Sequence, residues 1–387
     1  MRRSTEKILT THVGALPGPL EAWTGRSSDA ELRNAVRDVV DAQRRAGIDI
    51  VNEGELTKGG NWVAFINSRL SGFEPAREAG ATYALLVGSV DWQEFDDFYK
   101  KALEGGTLFE QTRSTPNQTA SRMDWVCTAP IRYTGDAALK REIELLRSAL
   151  GAGAAGDAFI TTTAPASVEV GRANEHYASE EEFVYALADA LRVEYETIAK
   201  AGFLVQIDDA WLAALWDRIG VKMGLAAYKK YCMLRVEALN HALKNVPEEQ
   251  VRYHLCWGSW HGPHAHDIPL ADLVDVMLAI KAQTYLFEAA NARHEHEYTL
   301  WEEVDLPDGK ILAPGVVTHS TPLIEHPELV AQRIRRFANI VGRENVIAST
   351  DCGLGLRCHP QIAWAKLKAL ADGAALASRA LGYRAAR

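Results

Sequence analysis

Cysteine is scarce in this sequence, with five residues among 387, and no apolar run reaches the roughly 20 residues that a membrane-spanning helix needs. The opening residues, MRRSTEKILTTHVG, include two arginines but no apolar core, so we expect no signal peptide. Few cysteines without an export signal predict reduced thiols, and therefore a cytoplasmic protein.

Positive charge is also in deficit, since the formal net charge is −9. This balance gives no bulk attraction for nucleic acid or for an anionic membrane surface, so neither is an expected partner. Hydrophobic residues make up 47% of the chain, which is ample for a large core. The sequence leaves the oligomeric state open, a homo-oligomer included.

A glycine-rich phosphate loop is missing as well. The stretch THVGALPGP after the first apolar run is not G-x-G-x-x-G, which disfavours an open, doubly wound sheet. Instead, short apolar and β-branched runs alternate with longer helix-patterned segments along the chain. Nine such runs lie at residues 8–14, 48–55, 125–133, 158–165, 203–210, 251–258, 284–290, 311–320 and 346–353.

Strand–helix–strand units at this spacing predict a parallel sheet, and near-continuous apolar strands predict burial on both faces. Eight units over this length favour an α/β fold of the (β/α)8 type, a TIM barrel. Because nine runs are one too many, we assign run 125–133 to an excursion after the second strand, over about residues 72–135. The barrel and its insertion are predicted to form a single domain, residues 1–387.

Chemically reactive side chains concentrate at the ends of the predicted strands, where a barrel builds its active site. They are His12, Glu53, Glu55, Asp208, Asp209, His254, Cys256, Glu288, His319, Ser320, Asp351 and Cys352. A barrel needs only apolar fillers there for stability. The concentration therefore predicts an active site.

His254 and Cys256 are two residues apart, so on a strand they point to the same side. With Glu288 and Cys352 from later strand ends they make a plausible tetrahedral Zn²⁺ shell of nitrogen, sulfur and oxygen donors. An incoming thiol could displace the Glu288 carboxylate, and zinc would then lower the pKa of that thiol.

A simpler interpretation also exists, because a buried cysteine is most often a small hydrophobic residue. Cys127, Cys232 and Cys358 are interpreted in that way. Three further histidines follow Cys256 and are interpreted as a polar loop rim, with alternative zinc ligands as the other option. These are His261, His264 and His266.

With these residues in place, the chain resembles the C-terminal catalytic barrel of cobalamin-independent methionine synthase, in a group that includes core methionine synthases and epoxyalkane:coenzyme M transferases. The resemblance covers most of the chain. It is carried, in order, by TTHVGALP, GIDIVNEGE, VCTAPIRYTG, LVQIDDAWL, HLCWG, YLFEAA, PGVVTHS and STDCGL.

The resemblance implies zinc at His254, Cys256, Glu288 and Cys352. It also implies that Glu55 and Asp208 contact the ammonium group of homocysteine, and that His319 protonates the leaving group of the methyl donor, a pterin such as methyl-tetrahydrofolate. A carboxylate pair facing a cation and a histidine acting as general acid are both physically reasonable. His12 and Ser320, at the ends of two further predicted strands, are predicted to contact substrate.

Three departures from the family pattern bear on the donor. Ala15 stands in place of a serine, Val317 stands in place of an acidic partner for the histidine, and TTTAPASVEVG lacks the tryptophan that stacks on the folate. They weaken methyl-folate as donor more than they weaken the zinc–thiol chemistry.

The expected function is therefore a zinc-dependent S-methyl- or S-alkyltransferase. Epoxide opening by a thiol, a zinc hydrolase, and a thiol-binding barrel without activity remain as alternatives. An amino-acid thiol suits the two carboxylates, whereas a sulfonate thiol would require arginines. Arg113, Arg122 and Arg357 are candidate anion-binding residues.

Overall fold

A computed structural model describes residues 1–59, 64–76, 88–108, 125–151, 155–355 and 357–383. The predicted excursion lies partly outside these ranges, and so do Arg113 and Arg122. The strands are β1 (Leu9–Thr10), β2 (Leu70–Pro75), β3 (Trp125–Tyr133), β4 (Phe159–Thr163), β5 (Arg172–Asn174), β6 (Leu204–Asp209), β7 (Val251–Leu255), β8 (Thr284–Phe287), β9 (Ile311–Val317) and β10 (Ile347–Thr350).

Seven of these strands form one parallel sheet in the order β1-β10-β9-β8-β7-β6-β4. The two free edges are joined by the predicted second strand. Ile50 N donates to Thr10 O at 3.0 Å on one side, and Phe159 N donates to Val51 O at 3.0 Å on the other. Val51 also forms an isolated parallel bridge with Ala158. The eight predicted runs thus close into a ring, and the predicted TIM barrel is confirmed.

The run at residues 125–133 is not a barrel strand. It forms β3, which pairs antiparallel with β2 and parallel with β5 in a separate three-stranded sheet. β5 lies beyond residue 135, so this sheet also recruits a segment from after β4. The sequence contains nine apolar runs because one of them belongs to this separate sheet and not to the barrel.

The helices follow the strands as the sequence pattern predicts. They are α1 (Leu20–Trp23), α2 (Asp29–Ala46), α3 (Ala64–Asn67), α4 (Val90–Glu94), α5 (Asp96–Gly105), α6 (Asp136–Leu150), α7 (Pro165–Glu169), α8 (Glu180–Lys200), α9 (Val221–Met223), α10 (Leu225–Ala242), α11 (Leu270–Leu278), α12 (Pro327–Val341) and α13 (Pro360–Ala380). Short 3-10 segments and one π-helical turn, Trp216–Gly220, complete the order. None of the helices in the described ranges has both the length and the apolar character needed to cross a membrane.

Helix α2 shows how the local sequence sets these boundaries. Ser28 caps its N-terminus and exchanges hydrogen bonds with Glu31 in a capping box. Gly47 ends it in the left-handed conformation, at φ 93°, which glycine adopts without a steric penalty. The glycines predicted at the ends of the later long helices, Gly202 and Gly342, both have φ 88°.

The pair α4–α5 packs over the barrel mouth. Trp92 and Tyr99 from this pair share a hydrophobic cluster with Trp260 from the loop after β7. Tyr99 donates a 2.6 Å hydrogen bond to Asp91, and Asp91 in turn accepts one of 2.8 Å from Ala265 N. These contacts fix the loop that follows Cys256 above the ends of the strands.

Candidate metal and active site

Three predicted metal ligands meet at the mouth of the barrel. His254 is on β7, Cys256 follows it, and Cys352 follows β10; their ligand atoms lie within 4.8 Å of one another. Glu288, after β8, has its carboxylate Oε1 3.9 Å from Cys256 Sγ. The same carboxylate is also within 4.8 Å of ligand atoms of His319 and Asp351. Glu288 therefore lies at the edge of the sulfur–imidazole group.

The hydrogen bonds around this group leave donor atoms directed to a common centre. His254 Nδ1 is 3.2 Å from Asp208 Oδ1, an arrangement that orients a metal-binding imidazole. His254 Nε2 is buried and has no hydrogen-bond partner among the described residues. A buried nitrogen of this kind is rare in a folded protein unless it binds something. One imidazole, two thiols and a nearby carboxylate are a donor set that fits zinc.

The two cysteines at the site, Cys256 and Cys352, differ in the pKa of their thiols. A hydrogen bond from Cys256, together with the charges of His254 and Arg357, lowers the pKa of Cys352 to about 6. The same interaction with Cys352, together with burial, raises the pKa of Cys256 well above its usual range. The pair therefore holds one negative charge near neutral pH, which favours a cation between the sulfurs. All five cysteines are free thiols.

A cleft of about 860 Å³ opens above the sulfurs. It is lined by Val13, Ala15, Glu55, Asp208, Ala210, Trp211, His254, Cys256, Gly258, Ser259, Trp260, Cys352, Gly353, Gly355 and Arg357. The two predicted ammonium contacts, Glu55 and Asp208, are thus in one cavity with the candidate metal ligands.

Glu55 is held there by unusual local geometry. Its backbone is left-handed, at φ 59°, which is costly for a residue with a side chain. A Cβ atom at Gly14 would approach Glu55 Oε1 to 2.1 Å, so glycine provides the space for the carboxylate. Burial, with Asp208 and Glu53 nearby, raises the pKa of Glu55 to about 8 despite the opposing charge of Lys58. A cation that binds beside Glu55 would favour the ionised carboxylate and so lower this pKa.

This shift predicts a trade-off between stability and binding. The carboxyl has a pKa of 4.5 as a free group and about 8 in the fold, so folding takes up a proton and stability falls as pH rises across that range. Glu55→Gln is neutral at every pH. In thiol-free protein it should therefore raise the melting temperature at pH 9 by on the order of 1–3 °C, with no gain at pH 5.

The same substitution should weaken binding of homocysteine, the ligand whose ammonium group the family resemblance assigns to Glu55. Differential scanning calorimetry and titration calorimetry measure the two effects, and Glu303→Gln, on the exposed surface, is the matched control. Parallel melting curves of wild type and Glu55→Gln at both pH values would contradict the assignment.

His319 lies in a second cavity of about 820 Å³, whose lining also includes Glu288, His261 and Ser320. The imidazole is 3% exposed, and its Nδ1 has no hydrogen-bond partner within the described part of the chain. Burial, followed by the charge of Arg357, lowers the pKa of His319 well below its usual value. Glu288 borders the sulfur group and also lines this second cavity, so the two spaces adjoin.

The histidines after Cys256 occupy the rim, and none joins a candidate metal group within the described residues. His264 stacks on Trp260 with ring centroids 4.4 Å apart and contacts both oxygens of Asp267 at 3.1 Å. His266 contacts Glu94 at 2.6 Å. His261 lines the second cavity, and its buried Nε2 lacks a partner among the described residues.

The two remaining predicted substrate contacts are placed differently. His12 is 1% exposed, with Nε2 2.7 Å from Gln43 Oε1, and it is not among the described residues that line the cleft. Ser320 is exposed and shares a 2.8 Å hydrogen bond with Thr318 Oγ1. Their role in substrate binding stays a prediction.

One buried residue near the site was not singled out from the sequence. Arg252 lies inside the barrel, donates to Thr11 Oγ1 at 3.0 Å and to His12 O at 2.8 Å, and sits 3.9 Å from the Phe159 ring centroid. It is two residues before His254 on β7, so strand alternation places both on the inner face. That spacing was the signal that could have identified it.

Fold and site together define a TIM-barrel protein with a candidate metal centre at the carboxyl ends of its strands. Residues 127–375 match the family model described as "Cobalamin-independent synthase, Catalytic domain", and the chain therefore belongs to that family. This confirms the family resemblance stated from the sequence.

Individual relatives agree over nearly the full length. The chain is 26% identical over 387 aligned residues to a methionine synthase of Thermococcus kodakarensis, covering 96% of this chain and 94% of the relative. It is 25% identical to a methionine synthase of Saccharolobus solfataricus, covering 94% and 93%. The solved B12-independent methionine synthase of a Shewanella species, in complex with selenomethionine, superposes with a TM-score of 0.70 at 19% identity over 97% of this chain and 99% of that chain. That superposition shows the shared fold.

Proposed function

We propose that this protein is a zinc-dependent S-methyltransferase that acts on homocysteine or a closely similar thiol, as the names of its methionine synthase relatives suggest. One observation carries the proposal. His254, Cys256 and Cys352 converge within 4.8 Å, with Glu288 beside Cys256, at the base of a cleft that also contains Glu55.

The protein residues divide into three roles. His254, Cys256 and Cys352 would hold zinc, with Glu288 as the ligand that an incoming thiol displaces. Bound zinc would lower the pKa of that thiol and so supply the thiolate nucleophile at neutral pH. The other two roles, substrate orientation and proton delivery, belong to side chains outside the ligand set.

Glu55 and Asp208 orient the thiol by its ammonium group, because two acidic side chains in one cleft favour a bound cation. His319 protonates the leaving group from the second cavity, which borders Glu288. In this arrangement the thiol enters from one cavity and the alkyl donor from the other. The donor is methyl-tetrahydrofolate or another activated methyl compound.

The test is methyl transfer by the zinc-loaded protein. We expect methionine to form from homocysteine and a methyl donor, detected by mass spectrometry, and to disappear after zinc is removed with a chelator. Methyl-tetrahydrofolate and a simple epoxide are the donors to compare. Donor hydrolysis that needs no thiol would replace the proposal with a zinc hydrolase. Thiol binding without turnover of any donor would indicate a barrel that only binds.

A further inference from the structure

The cleft contains one strong cation beside its two carboxylates. Among the described residues of its wall, Arg357 is the single arginine or lysine. It belongs to the loop after Cys352, and its Nε donates a 2.8 Å hydrogen bond to Ser259 Oγ in the loop after β7. Glu55 and Asp208 come from the second strand and β6. The positive Arg357 and the two acidic side chains therefore lie on different sides of the same cleft.

Close packing of two loops fixes the position of this arginine. Gly355 N donates to Ala15 O at 2.8 Å. A Cβ atom at Gly355 would come within 2.8 Å of Leu16 N, and one at Gly353 within 3.0 Å of Ala15 Cβ. Glycine at both positions lets the Arg357 loop lie directly against the loop after β1. The loop that carries Arg357 is thus held against Ala15, whose side chain offers no polar group.

We propose that Arg357 binds the carboxylate of the substrate thiol and so makes the cleft selective for an α-amino acid thiol. This inference rests on the proposed function, since it takes the sulfur to lie at the metal centre. A guanidinium suits a carboxylate because it offers several N–H donors in a planar fork. Glu55 and Asp208 then bind the ammonium group of the same molecule, so three side chains contact both charged groups of the amino acid.

The alternative thiols each match only part of this arrangement. A sulfonate thiol such as mercaptoethanesulfonate would engage Arg357 but bring no ammonium to Glu55 and Asp208. An amine thiol would satisfy the carboxylates and bring no anion to Arg357. A thiol that lacks the carboxylate or the ammonium group forgoes the charged hydrogen bonds that this group would make. The zwitterion is the one form that meets every charged group on the wall.

The experiment measures thiol binding to zinc-loaded protein without any methyl donor. Titration calorimetry compares homocysteine with the mercaptopropylamine analogue that lacks the carboxylate and the mercaptobutyrate analogue that lacks the ammonium group. We expect Arg357→Gln to weaken homocysteine by roughly 10- to 100-fold, the range for a hydrogen bond between charged groups. Binding of the amine analogue should stay unchanged, and Arg357→Lys should recover part of the loss.

Arg335→Gln, an exposed change of the same charge on α12, is the matched control. Equal weakening of homocysteine and the amine analogue by Arg357→Gln would show a structural role and overturn the inference, as would unchanged homocysteine binding. In both outcomes, X-ray absorption that shows the thiol sulfur bound to zinc would leave the proposed function intact, and only the role of Arg357 would be wrong. If no thiol sulfur reaches zinc even in wild type, the proposed function fails and this inference fails with it.

Discussion

Replacing either Cys256 or Cys352 by serine should strip the protein of zinc and abolish thiol binding. The two sulfurs belong to one group whose ligand atoms lie within 4.8 Å of each other, and a serine hydroxyl is not deprotonated at neutral pH. Zinc affinity should fall by well over about 100-fold, since loss of groups that merely support metal ligands already costs about 10- to 100-fold. Metal analysis after dialysis against a weak chelator measures the loss.

Cys127→Ser provides the control for this pair. Cys127 is as buried as Cys256, but it lies on β3 in the separate sheet, and its thiol donates to Ala129 O at 3.4 Å. A serine hydroxyl can make the same hydrogen bond, so this variant should keep its zinc. Zinc at the wild-type level in both Cys256→Ser and Cys352→Ser would refute the metal centre and the methyl-transfer proposal together.

The barrel could be predicted because its signal is local and repeated. Each apolar run is followed by a helix pattern, and strands buried on both faces favour a parallel sheet covered by helices, either a barrel or a doubly wound sheet. Within the described residues the second strand forms only an isolated bridge at Val51, yet the run 48–55 is as clear in the sequence as the others. A predicted strand thus need not form a long ladder to close the ring.

The candidate ligands could be predicted because strand order fixes which ends meet. His254 and Cys256 share a face by alternation, and Cys352 follows a strand that completes the same ring. The position of Glu288 between two groups could not be predicted, because it depends on side-chain conformation. Neither could the placing of Arg357, which results from tight packing of glycine-containing loops far apart in sequence.

His12 shows the limit of the same argument. It stands at a strand end like His254, but no cysteine follows it two residues later. In the structure its Nε2 faces Gln43 of α2 at 2.7 Å, and burial lowers the pKa of the imidazole to about 3. The position of a residue at a strand end predicts that it lies near the mouth of the barrel. The direction of its side chain depends on neighbouring residues that are distant in sequence, and the sequence pattern does not specify them.

Replacing His319 by asparagine should lower kcat by about 10²- to 10⁴-fold, the usual contribution of a general acid, while zinc content and thiol affinity stay near wild type. The reason is spatial: His319 lines the second cavity and is not among the described residues of the thiol cleft. A general acid acts in its protonated form, whose fraction falls as pH rises, and burial moves this fall to lower pH because it lowers the pKa of His319. Wild-type kcat should therefore decrease with rising pH, and the variant should lose that dependence.

His241→Asn is the matched control, because His241 lies on the α10 surface and contacts Asp189 at 2.8 Å. Its kcat and pH profile should equal those of wild type. A His319→Asn enzyme that binds thiol less well but turns over at the normal rate would place this histidine in substrate binding. A lower kcat with an unchanged pH profile would indicate that the imidazole shapes the cavity while another group delivers the proton. The pH profile thus distinguishes proton transfer from packing, which the loss of activity alone does not.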